Sequence, residues 1–355
     1  MTPRERFDAT LAGNTRDRLM LEAHYFNLFS IRTLDSATGS FKPVDVCKNP
    51  KLLVKAHLAT LARYALDLPT LYPISYTNEL WGGRAQMMEY GNPGMIGDPP
   101  IKSVDDLEGL KVPDPRSDGL FPGYLWAIRE TKRIFIECGI VNVMPLWVSI
   151  CVDPIGTVAM YMLGWSKFLR SLRNDRELCR RSLDLASSWV IKFGQAVIDV
   201  GADCLMTCGY PGVMPIKGNE WLIGYYTNIG KTLGSQVPLW YALTYEKAPT
   251  WFPLMFEEGA VGSDSFLGWF CTEIDYQKAI DFSREHDLYC SCAISDRVLL
   301  NSPVATIEEE IKERCEYGKP HSKFSIGIAA VDYTTPQANF EAAVAAAKRY
   351  GKLAY

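Results

Sequence analysis

Ten cysteines and four histidines are the residues from which this chain would have to build a metal centre or a strong nucleophile. Three groupings invite a metal: Cys204 with Cys208, Cys290 with Cys292, and His286 with Cys290. None has C-x-x-C spacing, and zinc needs about four ligands of His, Cys or carboxylate type. Cys204 and Cys208 fall on one face of an apparent strand, Ala202-Asp-Cys-Leu-Met-Thr-Cys208, and Cys290 and Cys292 on one face of another. Both pairs read as buried thiols acting as small hydrophobes. The ten spacings resemble no disulfide framework, which suits a reducing compartment. Acid–base chemistry has better material. His24 stands on the apparent strand Met20-Leu-Glu-Ala-His-Tyr-Phe26 together with Glu22, whereas His57 and His286 read as helical and His321 lies in a loop.

The elements that must position these groups alternate. Strand readings fall at Met20–Phe26, Ile140–Val148, Cys204–Cys208, Pro238–Leu243, Val261–Phe266, Leu288–Ile294 and Phe324–Ala330. Helical periodicity lies between them, for example at Val44–Tyr64, Gly123–Glu137, Pro154–Leu163, Asp175–Val200, Asn219–Leu233, Ala248–Glu258, Tyr276–Glu285, Thr306–Glu316 and Pro336–Tyr350. Arg84 to Ile96 reads as a hairpin turning near Gly91-Asn-Pro-Gly94, and Asp153-Pro154 as an N-cap followed by proline at the first helical position. Strands such as Phe324-Ser-Ile-Gly-Ile328 are almost wholly apolar or small, as burial on both faces requires. Seven or eight βα units in one series predict an α/β fold, a single (βα)8 TIM barrel over residues 1–355. Neither G-x-G-x-x-G nor the P-loop signature occurs.

In such a barrel chemistry gathers at the C-terminal ends of the strands. Those ends carry His24, Tyr25 and Asn27; Ser149, Cys151 and Asp153; Cys208 and Tyr210; Tyr241, Thr244 and Tyr245; Asp264; Ser295 and Asp296; Asp332 and Tyr333. Phe26, Tyr76, Trp81, Trp147, Trp240 and Trp269 crowd the same places, and Asn78 lies among them. Together they predict a cavity with an aromatic, mostly apolar lining and few charges.

Composition agrees with a soluble globular protein that has a sizeable core. Of 355 residues 48% are hydrophobic and 22% charged, and 37 basic against 41 acidic residues leave a net charge of -4. No basic block appears, which argues against nucleic acid. No run reaches the roughly 18 apolar residues of a membrane helix, and the charged start, Met1-Thr-Pro-Arg-Glu-Arg-Phe7, is no signal peptide. A cytoplasmic protein is expected.

Several stretches carry a family resemblance in their order and spacing. They are Met1-Thr-Pro-Arg-Glu-Arg-Phe-Asp-Ala-Thr-Leu-Ala-Gly13 with Asp17-Arg18, Gly201-Ala-Asp203 after a long helix, Ile307-Glu-Glu-Glu-Ile311, Thr335-Pro-Gln-Ala-Asn339 and Ala347-Lys-Arg-Tyr-Gly351. Over nearly its whole length the chain resembles the uroporphyrinogen decarboxylase superfamily, which implies one (βα)8 barrel. That superfamily contains the true decarboxylases and methyltransferases acting on methanol, methylamines, chloromethane and aryl methyl ethers. The decarboxylases carry an R-Q-A-G-R-Y-like run whose arginines hold a polycarboxylate. Here Leu21-Glu-Ala-His-Tyr-Phe-Asn-Leu28 has no arginine, and a polyanion would lose its charge-assisted hydrogen bonds. The thiol-methylating branch has an H-x-C zinc pattern and a distant cysteine. The aligned positions hold Tyr241, Leu243 and Ala329, so no zinc is expected there; a relocated site using Cys208, Cys271 or Cys290 is the alternative.

The remaining branch takes a methyl group from a small, often aromatic substrate and passes it to a separate corrinoid protein. The resemblance implies that role here, with cobalamin supplied by the partner protein and no tightly bound cofactor. The leaving oxygen needs a proton or a strong hydrogen bond, which a positioned His, Tyr or carboxyl can give. His24, Glu22, Tyr241 and Asp332 are the candidates, with Tyr25, Phe26, Asn78, Trp81, Trp147, Cys208, Tyr210, Trp240 and Tyr333 around the substrate. A decarboxylase or lyase of the uroporphyrinogen type and a non-catalytic accessory barrel are the alternatives, and the fold leaves room for a homodimer.

Overall fold

The computed structural model describes residues 1–25, 30, 33, 45, 49–71, 77–86, 94–210, 213–214, 216–243, 248–261, 265–269, 275–331 and 333–353. Helix α1 (Pro3–Leu11) comes first, held by a capping box in which Thr2 Oγ1 accepts from Glu5 N while Glu5 accepts from Thr2 N. Strand β1 (Met20–Tyr25), α2 (Pro50–Tyr64) and β2 (Leu68–Leu71) follow, then a 3₁₀ turn (Asn78–Trp81) and the antiparallel hairpin β3 (Arg84–Gln86) and β4 (Gly94–Ile96). Next are α3 (Phe121–Glu137), β5 (Trp147–Val152), α4 (Pro154–Thr157) running on as a π-helical turn (Val158–Met162), α5 (Trp165–Asn174), α6 (Arg176–Asp199) and β6 (Cys204–Gly209). The second half continues through α7 (Ile223–Ile229), β7 (Leu239–Leu243), α8 (Phe252–Glu257), β8 (Ser265–Trp269), α9 (Tyr276–Glu285), β9 (Cys290–Ile294), α10 (Asp296–Asn301), α11 (Val304–Gly318), β10 (Phe324–Val331) and α12 (Gln337–Tyr350).

Eight strands pair in parallel in the order β1-β10-β9-β8-β7-β6-β5-β2, and β2 closes the ring against β1. Paired residues in parallel strands share a face. The ladders running Glu22–Gly327, Ser325–Ser291, Met206–Trp240 and Trp147–Cys204 therefore define the inside of the ring. Trp240 packs on Trp147 with centroids 5.6 Å apart although β6 lies between their strands, so both rings fill the interior. Phe7 of α1 stacks on Trp240 at 6.0 Å, which places α1 across the N-terminal end as a floor. Beneath it Asp67 accepts from Arg6, Arg18 and the Leu21 amide, tying α1, β1 and the approach to β2 together.

Helices α1 and α10 have no counterpart in the sequence reading, and four further elements differ from it. Strand β2 has no counterpart there, because it has four residues and one is Pro69, which cannot donate to a ladder. It pairs all the same, through Glu22–Leu68 and Thr70–Trp147. The expected strand Ile140–Val148 starts only at Trp147: Val143 N and Met144 N both bond Ile140 O, so its first half is a turn. Strand β8 lies four residues later than Val261, at Ser265–Trp269. Helix α5 was hidden because Lys and Arg occupy three of its ten positions and only a narrow apolar stripe remains. The hairpin and Tyr276–Glu285 match their expected places, and Asp153 and Pro154 start α4 as cap and first residue.

Candidate active site

Glu22 is fully buried at the centre of the ring. Its Oε1 accepts from Ser325 Oγ at 2.6 Å, and Ser325 Oγ in turn meets the Tyr289 hydroxyl at 2.5 Å. Ser291 and the Trp240 indole also face the carboxyl and favour its charged form, but Oε2 and Ser291 Oγ close no hydrogen bond of normal geometry. Burial outweighs these helpers and pushes the Glu22 carboxyl up to about 7. The group therefore holds its proton well above the ordinary carboxylate range.

His24 is buried at 3% exposure, two residues toward the C-terminal end. Burial drives its imidazolium down to about 3, so the ring is neutral. A neutral imidazole offers one N–H as a hydrogen-bond donor and does not hold a transferable positive charge. The β1–β10 register breaks between Ala23 and Tyr25, so strand alternation stops dictating side-chain direction at His24. Such breaks re-aim side chains, and here one occurs at the end of the strand where the pocket is expected.

The other positions expected to form the site divide by depth. Trp147 opens β5 and Trp240 is the second residue of β7, so both belong to the floor under Glu22 and not to the mouth. Tyr241 corrects an expectation. Its neighbour Trp240 points inward, so Tyr241 points to the helical layer, where its hydroxyl donates to Tyr226 O at 3.0 Å. Burial lifts its phenol far above its ordinary range, which makes it a packing and hydrogen-bonding group. Cys208 is inward and buried at the upper end of β6. Tyr210 follows β6 half-buried, and Tyr333 follows β10 half-buried in a turn. Phe26 and Asp332, with Asn27, Tyr76, Thr244, Tyr245, Asp264 and Cys271, lie outside the described residues, as do the side chains of Tyr25, Cys151, Leu243, Trp269 and Ala329.

Asp153 and Tyr226 form a buried hub at the upper end of β5. Asp153 Oδ1 accepts from Gly156 N at 2.5 Å, and Oδ2 accepts from Tyr210 N at 3.0 Å and from the Tyr226 hydroxyl. Burial raises the Asp153 carboxyl to about 6 against these three donors. The hub fixes Tyr210 at the mouth. Gly156 is required beside it, since a Cβ there would meet the Tyr210 ring at 2.6 Å.

The 3₁₀ turn after β2 gathers the clearest unmet polar groups. Thr77, Asn78 and Trp81 are each 1% exposed or less, and Thr77 Oγ1, Asn78 Oδ1 and Trp81 Nε1 have no hydrogen-bond partner among the described residues. Asn78 Nδ2 is satisfied by Arg84 O. Native proteins rarely bury such atoms unpaired without a reason. A ligand offering a donor and an acceptor at this turn would satisfy them. Asn78 and Trp81 were legible candidates, but Thr77 was not, because nothing in Tyr76-Thr-Asn-Glu-Leu-Trp81 marks it as buried. Ser291, Ser325 and Tyr289 were missed too; their only signal is a small or hydroxyl residue within an apolar strand or at its start.

Among the described residues no three His, Cys, Asp or Glu side chains come together as a metal site. Cys290 and Cys292 face the helices with sulfurs 3.8 Å apart, and Cys204 is buried beside the floor. No described helix is long and apolar enough to cross a membrane.

The family described as uroporphyrinogen decarboxylase (URO-D) matches residues 4–215. Uroporphyrinogen decarboxylase of Hydrogenovibrio crunogenus is 28% identical over 263 residues, spanning 70% of this chain and 69% of that protein. The same enzyme of Proteus mirabilis is 25% identical over 283 residues, spanning 76% and 73%. Among solved structures, a methyltransferase from Methanosarcina mazei superposes with a TM-score of 0.79 over 99% of both chains at 20% identity, a likeness of fold.

Proposed function

Because the chain belongs to the uroporphyrinogen decarboxylase (URO-D) family, we propose that it is a (βα)8-barrel methyltransferase of the demethylating kind. It takes a methyl group from a small, methoxylated aromatic substrate and delivers it to the cobalt of a separate corrinoid protein. The observation that carries this reading is the buried Glu22, which holds a proton near neutral pH beside a neutral His24. An uncharged methyl ether needs that setting. As the methyl–oxygen bond breaks, the methyl passes without its bonding electrons to reduced cobalt, and the leaving oxygen keeps the pair. A proton from Glu22, relayed or oriented by the His24 N–H, neutralises that oxygen. Thr77, Asn78 and Trp81 supply polar atoms that would orient the ring substituents.

The second reading, decarboxylation of a porphyrinogen, is favoured by the curated relatives. The arginines nearest β1 do not support it. Arg6 and Arg18 are bound to Asp17 and Asp67 at the floor, and Arg16 is turned to the Ser322 and Phe324 carbonyls. One experiment separates the two. The protein is incubated with a panel of methoxybenzoates and free cob(I)alamin, and in parallel with uroporphyrinogen. Conversion of cob(I)alamin to methylcobalamin, followed by its visible spectrum, is expected. Release of coproporphyrinogen without methylcobalamin would replace this function by the second.

A further inference from the structure

Residues 165–181 place six basic side chains, Lys167, Arg170, Arg173, Arg176, Arg180 and Arg181, against two acidic ones, Asp175 and Glu177, in a chain whose net charge is -4. Among the described residues none of the six forms an ion pair. Several arginines elsewhere on the surface do, such as Arg116 with Asp199, Arg133 with Glu130, Arg284 with Asp281 and Arg349 with Glu308. The six instead lie on α5 and the first turns of α6. Arg176 and Arg180 cover the Trp221 ring at 5.0 and 5.5 Å. Lys167 and Arg170 border a cleft of about 390 Å³ with Trp165, and Arg170 and Arg173 border the next, about 510 Å³, with Leu169 and Leu172. Leu169 is 40% exposed between them.

This strip lies at the rim of the barrel's C-terminal end. Helix α5 follows the segment that leaves the top of β5, and the Trp165 ring packs on Tyr210 at 5.8 Å, directly after β6. The second cleft is closed by Val213 and Met214 from the loop that also leaves β6. Arginines without an ion pair among the described residues, alternating with tryptophan and leucine, are the composition of a protein-binding surface, where Arg and Trp supply most of the anchoring energy. Lys167 and Arg170 donate to the Lys102 and Ser166 carbonyls, but with no ion pair among the described residues the six cations leave a positive field that an acidic partner face would complete, which speeds encounter and fixes orientation.

We infer that the α5–α6 strip, with Trp221, is the docking surface for an acidic face of a partner protein, which it holds against the mouth of the barrel. Resting on the function proposed above, that partner is the corrinoid carrier, whose cobalt must reach the mouth. The strip is short, about 15 Å along α5, and the rest of the chain is acidic, so an extended nucleic acid is not its occupant.

The test uses the full chain and, as probes, the small corrinoid-binding proteins encoded by the same organism, purified individually. Binding is measured by fluorescence anisotropy, at low and at high salt, for the parent and for the charge reversals Arg170→Glu/Arg173→Glu and Arg176→Glu/Arg180→Glu. Expected are binding of at least one carrier, weakening with salt, and a loss of affinity of ten-fold or more in each double variant with an unchanged melting temperature. Lys278→Glu on α9, away from the strip, is expected to bind like the parent. Equal affinity of parent and double variants would overturn the inference, as would a parent that binds no carrier. A parent that sediments as a dimer and becomes monomeric on charge reversal would also overturn it, assigning the strip to a second copy of this chain. Parent transfer to free cob(I)alamin is scored separately. If it is absent while carrier binding is lost on charge reversal, the docking surface stands and the proposed reaction falls.

Discussion

Glu22 lends itself to a test by pH. Its carboxyl is raised from an ordinary 4.5 to about 7 in the fold, so the folded chain holds this proton more tightly than the unfolded one. The associated stability is fully present below about pH 4.5 and is lost as pH rises to about 7. The whole effect is on the order of 3 kcal/mol. Glu22→Gln keeps an oxygen for Ser325 and cannot ionise. Urea midpoints at about pH 5 and pH 8 are expected to fall between the two conditions in the parent and to differ much less in the variant. Asp153, raised to about 6, has the same sign in both proteins and drops out of the comparison. Parallel pH dependences would mean that Glu22 carries no proton at neutral pH. For His24 the readout is catalytic. His24→Gln retains an N–H donor but not the geometry of the ring, and methylcobalamin formation is expected to fall by about 10²–10⁴-fold with little change in melting temperature. Wild-type turnover would assign His24 to packing.

At the scale of elements, the 3₁₀ turn after β2 and the start of α4 each make a claim. An unpaired buried donor costs about 1–3 kcal/mol. Trp81→Phe removes the orphaned Nε1 while keeping an aromatic side chain. The variant is expected to melt within a few degrees of the parent yet bind methoxybenzoate more weakly, as a raised KM with kcat nearly kept. If KM is unchanged, the turn only packs. Gly156→Ala brings a methyl into the Tyr210 ring. Overpacking of that kind costs about 1–3 kcal/mol. A lower melting temperature together with a raised KM is expected, because the same hub holds Tyr210 at the mouth. A loss of stability with KM untouched would detach Tyr210 from substrate binding.

On the whole molecule, the metal question has a direct measurement. Donors are spread through the core: no described trio of His, Cys, Asp or Glu converges, and Cys179, Cys204 and Cys315 are pushed toward the neutral thiol by burial. Elemental analysis is expected to give far less than one zinc per chain, and incubation with a chelator is expected to leave both the melting curve and methyl transfer unchanged. Stoichiometric zinc that survives washing, with activity lost on chelation, would restore the thiol-methylating reading.

Periodicity and composition were enough to read an α/β chain of parallel strands and covering helices, because two-sided burial leaves near-continuous apolar strands and one-sided burial leaves helical stripes. Order and spacing of short stretches were enough for the family. Glu22 and His24 were legible as well, since an acid and a histidine in an otherwise apolar strand have few reasons to be there. What the tertiary structure alone decided is direction, depth and company. Tyr241 lies in the middle of β7, and only the pairing of its neighbour Trp240 with Met206 shows that it faces the helices. Trp147 and Trp240 look like pocket aromatics until Phe7 is found stacked on Trp240 and Trp147 packed against it. The proton on Glu22 depends on its burial inside the closed ring, which outweighs the hydrogen-bonding groups of Ser325, Ser291 and Trp240, far away in sequence, that favour the charged form. That six cations on α5 and α6 form no ion pair among the described residues depends on where the carboxylates came to rest. A sequence specifies which groups a chain carries and with what local period; burial, and therefore pKa and unmet hydrogen bonds, is a property of contacts between residues that the chain has first to bring together.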